Sequence, residues 1–341
     1  MTGTPDLADP HWFPVDLHVP DRRFGFLRLD DELIDRAPFL DVRLDAPLAD
    51  AIQVPAASVP TTAPAARIGW LFHTSFCAST LLARALHVPP YHVALKEPFV
   101  LRRLADARKG GWAIDGLLES SLAMLGRPWQ PGGAVVIKPT HVALNVAVDL
   151  LAATPTSRAV VLTSPLDDFL ISNLKKLPES QAKIPILVDR ALRATTFGTR
   201  LPPAGLQPPD LVCAAGLQWA AQRELVTDVV ETVGPGRIRA LDADALLADI
   251  PGQVWACAQW LQLPVPRDRL RAHTAAIASR NAKAMWEEYG PDVRAREAEA
   301  MAAAHREPLR RARSWLDAHV LPAMRPQARA APSPWPSPWP G

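Results

Sequence analysis

Several things are scarce or missing in this chain, and each shortage removes a class of function. Cysteine occurs three times in 341 residues, at Cys77, Cys213 and Cys257. An odd, widely dispersed set gives neither a disulfide framework nor a metal knuckle, and it fits a reducing compartment. The nine histidines show no HxxxH or HExxH spacing and no paired-carboxylate motif stands out, so no metal centre is expected. One-sided charge is missing too: 37 Lys and Arg against 35 Asp and Glu leave a net +2, which argues against nucleic acid or an acidic membrane surface as partner. There is no apolar run long enough to span a bilayer, and MTGTPDLADPHW has neither a basic n-region nor an apolar h-region. The expectation is a soluble, cytoplasmic protein.

What the chain has in excess is proline, 36 residues, about twice the usual frequency of roughly 5%. The prolines fall between apolar runs and near the ends, and so divide the chain. Residues 1–64 read as a Pro-rich N-terminal segment with one or two short strands packed on a core. Residues 65–320 read as the main domain. Within it, 177–210 is a Pro-rich insertion, either a substrate-facing loop or a surface excursion. The tail 321–341, ending in SPWPSPWPG, has the composition of an unstructured segment or a partner-binding one.

In the main domain, five apolar runs alternate with helical patterns: RIGWLFH (67–73), HVALKE (92–97), AVVIK (134–138), RAVVLTS (158–164) and RIRALD (237–242). Near-continuous apolar runs of this length are expected of parallel strands covered on both faces. The predicted fold is α/β, a three-layer α/β/α domain with a mostly parallel five-stranded sheet and a helical C-terminal part.

Ligands of such sheets bind beyond the carboxyl ends of the strands. There the sequence places His73 followed by Thr74, Ser75, Phe76, Cys77, Ala78, Ser79 and Thr80, then Lys96-Glu97-Pro98, Lys138-Pro139-Thr140 and Thr163-Ser164-Pro165. Four polar strand ends in succession point to one polar cleft. The loop 73–80 runs into a helix, so its backbone N–H groups offer an anion site, and Ser79 and Thr80 add hydroxyls. The bland alternative is an ordinary strand-to-helix turn with Ser79 as N-cap. The GxxxxGK[ST] pattern of nucleotide triphosphatases is absent. Glu97 is a candidate base or an ion-pair partner, and Lys138, ending an apolar strand, needs an anion or carboxylate beside it. Cys77 has no histidine–acid pair next to it in sequence that would make it a nucleophile.

FHTSFCASTLLARAL resembles the 5′-phosphosulfate loop of sulfotransferases that use 3′-phosphoadenosine-5′-phosphosulfate (PAPS), bacterial members above all. VVLTSPLDDFLISNLKK (160–176) resembles their 3′-phosphate motif, with Ser172 in the serine position. IRALDADALLADIPGQVWACAQWLQLPV (238–265) is similar to their later strand, turn and helix. The resemblance runs in order over about residues 67–285. It implies a P-loop nucleoside triphosphate hydrolase-like fold, PAPS as cofactor without a metal, and transfer of a sulfuryl group to a hydroxyl or amine of a small-molecule or peptide acceptor. On that resemblance Glu97, Lys138 and His73 are the catalytic candidates. Thr74, Ser75, Cys77, Ala78, Ser79, Thr80, Lys96, Ser164, Ser172, Arg280 and Lys283 are the cofactor-binding ones. The sequence departs from the pattern where Ser164 replaces the motif's arginine, Phe76 the loop's basic residue and Ala78 its glycine. Positive charge must then come from neighbouring strands, Lys138 first. A nucleotide-dependent phosphotransferase and a non-catalytic nucleotide-binding or scaffold protein are the alternatives. No motif identifies the acceptor or an oligomeric state.

Overall fold

Three short strands come first, β1 (Trp12–His18), β2 (Arg23–Arg28) and β3 (Ile52–Pro55), forming an antiparallel sheet in that order. Phe13, Leu17, Phe24 and Phe26 are its buried residues, so the N-terminal segment carries a small sheet of its own. A computed structural model of the chain describes residues 4–281, 284–288, 291–332 and 335.

The main sheet contains β4 (Arg67–His73), β5 (His92–Lys96), β6 (Ala134–Lys138), β7 (Arg158–Thr163) and β8 (Ile238–Asp242). All pairings are parallel and the order is β5-β6-β4-β7-β8. Successive side chains of a strand point to opposite faces. On one face Trp70, Phe72, Leu95, Ile137 and Val161 pack with the N-terminal sheet and with helices Phe99–Lys109, Leu117–Leu125 and Leu211–Val233. On the other, Leu71, Ala94, Val136 and Leu162 meet helices Ser79–Ala85 and Ile250–Trp260. Both faces are covered, which is why the strands read as unbroken apolar runs. The architecture is three-layer α/β/α with a helical C-terminal part.

Alternation also fixes the site. His73, Lys96 and Lys138 share a parity with Leu71, Ala94 and Val136, and Lys96 stands opposite Lys138 in register. The strand ends therefore converge beside the helix that opens at Ser79.

The Pro-rich insertion is mostly helical. Pro178–Gln181 and Ile184–Arg193 form helices with proline in the first turn, where its missing N–H costs nothing. Ile184, Val188 and Ala191 pack in a third core with Leu217 and Leu316. The tail, expected from composition to be unstructured, is packed over its first part. Helix Pro326–Arg329 is held by Arg223, whose Nε donates to the Ala328 carbonyl at 2.9 Å, and by Arg325, whose Nε donates to Glu224 at 2.8 Å. Buried cations and carbonyl acceptors order a segment that hydrophobicity alone would not. Among the described residues no helix is long and apolar enough to cross a membrane.

Candidate functional site

Lys138 closes β6 fully buried, and its Nζ lies 2.5 Å from Glu97 Oε1 just past the end of β5. Glu97 turns back onto the sheet because its own backbone is left-handed, φ 59°, an uncommon state for a side chain of this size. The bond from Glu97 N to the Lys138 carbonyl, 2.6 Å, fixes that turn. His73, ending β4, completes the group: its Nε2 is 3.9 Å from Glu97 Oε1.

The proton positions follow from the partners. His73 Nδ1 lies 2.7 Å from the Thr74 carbonyl, which can only accept, so Nδ1 carries the hydrogen. Nε2 is left with a lone pair, buried and without a hydrogen-bond partner among the described residues. Burial, reinforced by Lys138, pushes the His73 pKa down to about 3, so the ring is neutral at physiological pH. Burial alone would raise Glu97, but Lys138, His73 and Arg43 outweigh it and hold the carboxyl down at about 2. Glu97 is a committed anion in this state, and while Lys138 faces them both it and His73 are weak bases. His73 offers the open nitrogen.

The adjoining loop keeps a sharp turn without glycine. Phe76 and Ala78 are both left-handed, each with φ 59°, a conformation that costs an alanine roughly 1–2 kcal/mol. Ala78 is the N-cap and Ser79 the first helical residue, so the alternative of a turn capped by Ser79 is not what forms. The N–H groups of Ser79 and Thr80 open the helix and have no carbonyl within it to meet. Thr74 Oγ1 is buried without a partner among the described residues. Thr74, Ser79 and Thr80 are therefore the loop residues suited to hold an anion.

Other expected contacts are used inside the protein. Lys96 Nζ donates to the carbonyls of Ile34 and Asp35 at 2.7 and 3.0 Å, capping helix Asp31–Arg36, and not to the loop. Burial and Arg84 push its pKa down to about 7. Ser164 Oγ donates to the Ser75 carbonyl at 3.1 Å, tying β7 to the loop. The Cys77 thiol donates to the Thr74 carbonyl at 3.0 Å, and burial pushes its pKa up to about 11, which rules out a resting thiolate. Ser172 is half-buried on helix Leu166–Leu174, and Arg280 lies on the short ribbon Arg280–Asn281. Lys283 lies outside the described residues.

Three further groups border the site. Arg43 Nη2 donates to Glu97 Oε2 at 3.2 Å, and its Nε donates to Asp41 at 2.8 Å. Its guanidinium stacks 3.6 Å above the Phe39 ring, and Lys138 Nζ lies 5.8 Å from the same ring. Lys176 sits 5.2 Å from the Phe76 ring, its pKa lowered by burial and by Arg43, whereas Lys175 pairs with Glu297. Lys176 thus brings charge to the loop from outside it. His141 lies 6.3 Å from His73, ring to ring, and borders a cavity of about 20 Å³ shared with Asn145, Arg190 and Gln222. A larger cleft of about 390 Å³, lined by Asp35, His87, Arg269 and His273, opens beyond the other end of helix Ser79–Ala85, away from Glu97. Among the described residues no group of His, Cys, Asp or Glu is arranged to hold a metal ion.

No family model matches the chain, and no curated protein does. Among solved structures the chain is similar to sulfotransferases. It aligns with the sulfotransferase domain of the curacin biosynthetic pathway at 12% identity and a TM-score of 0.39, over 71% of this chain and 98% of that one. A sulfotransferase from Alicyclobacillus acidocaldarius aligns at 14% and 0.38, over 73% and 98%. A sulfotransferase from Mycobacterium tuberculosis H37Rv aligns at 16% and 0.30, over 64% and 72%.

Proposed function

We propose that this chain is a cytoplasmic sulfotransferase-like enzyme that moves a sulfuryl group from a PAPS-type donor to a hydroxyl or amine. The observation that carries the reading is the meeting of three groups at the strand ends. A buried lysine, a carboxylate and a neutral histidine with an open nitrogen lie 2.5 and 3.9 Å apart beside a helix-opening loop. Sulfuryl transfer asks for these parts. The acceptor oxygen or nitrogen attacks sulfur, the bond from sulfur to the bridging phosphate oxygen breaks, and the departing phosphate gains negative charge. Lys138 is suited to neutralise that charge, because a buried cation acts at low dielectric. As Lys138 turns its charge to the departing phosphate, the His73–Glu97 pair gains basicity: the acceptor's proton goes to His73 Nε2, and Glu97 stabilises the imidazolium that forms. Thr74, Ser79 and Thr80 would hold the 5′-side oxygens, and PAPS would supply the activated sulfuryl group.

One observation favours a donor without a 3′-phosphate: the Ser164 hydroxyl, at the position where the resembling motif has arginine, is engaged with Ser75. Thermal shift with adenosine 3′,5′-bisphosphate and ADP, each with and without Mg²⁺, tests both readings. At about a hundred times its dissociation constant a ligand adds roughly 2.7 kcal/mol. Stabilisation by the bisphosphate beyond that by ADP, independent of Mg²⁺, is the expected result. Equal shifts favour a plain nucleotide donor, and a shift that needs Mg²⁺ favours phosphoryl transfer.

A further inference from the structure

We propose that Arg43 and Lys138 form a two-cation clamp for a tetrahedral oxyanion, and that Glu97 occupies this clamp when no anion is bound. The inference rests on the sulfuryl-transfer reading only for the identity of the anion.

The geometry is that of a filled anion site. Each oxygen of the Glu97 carboxylate has its own cation: Lys138 Nζ at Oε1, 2.5 Å, and Arg43 Nη2 at Oε2, 3.2 Å. Two adjacent oxygens of a sulfuryl or phosphoryl group present a similar pair of acceptors. The clamp has a buried jaw and an open one, because Lys138 is fully buried while the Arg43 side chain is 52% exposed. An anion arriving from solvent meets Arg43 first. Lys138 is also close enough to the phosphate-loop candidates to bear electrostatically on both His73 and Cys77. It therefore serves the loop and the carboxylate at once.

Arg43 is positioned independently of Glu97. Leu40 N donates to the Lys96 carbonyl at 2.6 Å and Phe99 N to the Leu40 carbonyl at 3.0 Å, which pins the N-terminal segment across the end of β5. Asp41 and the Phe39 ring then orient the guanidinium. Glu97, by contrast, reaches the clamp only through its left-handed backbone. Arg43 is held by other groups, Lys138 ends a buried strand, and the carboxylate is the strained partner, so the carboxylate is what an anion would displace. Once displaced it is relieved of its strongest counter-ion, and its charge is free to act on His73 Nε2, 3.9 Å away.

The test is titration calorimetry of inorganic pyrophosphate and of adenosine 3′,5′-bisphosphate on wild type, Glu97→Gln, Arg43→Ala and Arg43→Lys. Removing the internal occupant should tighten binding, so Glu97→Gln is expected to bind each anion at least tenfold more tightly. Arg43→Ala should bind at least tenfold more weakly, and Arg43→Lys should recover part of the loss, since it keeps charge without the planar fork. If Glu97→Gln does not fold, the two Arg43 variants decide. Pyrophosphate following this pattern while the bisphosphate binds no variant would sink the PAPS reading and leave the clamp standing. Binding unchanged or weakened in Glu97→Gln, unchanged in Arg43→Ala, or absent for both anions in every variant overturns the clamp.

Discussion

Lys138 and Glu97 form an ion pair at the ends of neighbouring parallel strands, 2.5 Å between Nζ and Oε1, with 0% of the lysine and 9% of the glutamate residue exposed. Taking both charges out of water is costly, and their attraction offsets that cost only while both are present. Fold and function therefore make different demands on the pair.

Lys138→Met alone should destabilise the protein by roughly 2–4 kcal/mol, because it leaves a buried carboxylate with Arg43 as its remaining direct cation. The double variant Glu97→Gln with Lys138→Met should lie within about 1 kcal/mol of wild type and yet fail to bind anions. Urea denaturation measures the first effect and calorimetry the second. A double variant as unstable as the single one would show that the pair stabilises the fold outright.

Acid should unfold this protein through its histidines before its carboxylates. Burial, the leading cause in each case, pushes His73 and His87 down to about 3 and His92 and His141 down to about 4, from an ordinary 6.5. The neutral rings contribute stability in full above pH 6.5, and it is lost as pH falls towards 4. Near pH 5 the unfolded chain binds about four more protons at these positions, a slope of roughly 5 kcal/mol per pH unit. Glu97, lowered from 4.5 to about 2, contributes above pH 4.5 and loses that contribution only as pH falls through 2. Denaturant midpoints at pH 7, 6 and 5 check this; an uptake of one proton or fewer would mean that the rings charge in the folded state.

The three thiols should be inert. Cys77, Cys213 and Cys257 are each at most 1% exposed, and burial raises all three pKa values, the first two to about 11 and 12. A chromogenic disulfide reagent at pH 8 should label none in the native protein and three in denaturant. Rapid native labelling of one thiol would instead report a local opening.

Much of the sheet is legible in the sequence because burial on both faces removes polar residues until the strand ends. AVVIK and RIGWLFH are the observed strands β6 and β4 to the residue. The same logic points to His73, Lys138 and Glu97. It cannot separate Lys138 from Lys96, which has the same register and parity. The difference comes from helix Asp31–Arg36, some sixty residues away in sequence, whose last carbonyls take the Lys96 ammonium. Arg43 is illegible for a related reason: DVRL has no periodicity or spacing, and its role arises when Leu40 pairs with the end of β5. In the insertion, prolines suggested a loop, but at helix starts they are compatible with helix.

The loop without glycine yields the last prediction. Ala78 holds φ 59° and ψ 19° as the N-cap of helix Ser79–Ala85. Glycine there would remove a left-handed cost of roughly 1–2 kcal/mol and add roughly 0.4–1 kcal/mol of unfolded-chain entropy. Ala78→Gly should therefore stabilise by about 0.5–1 kcal/mol, read as a higher urea midpoint at unchanged slope. Phe76→Gly relieves the same backbone conformation but removes a ring packed edge-on against Phe169 at 5.3 Å and lying 5.2 Å from the Lys176 ammonium. Losing an aromatic contact of this kind outweighs the relief, so Phe76→Gly should destabilise by about 1–3 kcal/mol. Opposite signs for two glycines in one loop would separate backbone strain from side-chain packing. If both substitutions destabilise, the left-handed backbone at Ala78 is held without strain, and the loop's shape is set by its hydrogen bonds, those at Thr74 and Ser75 among them.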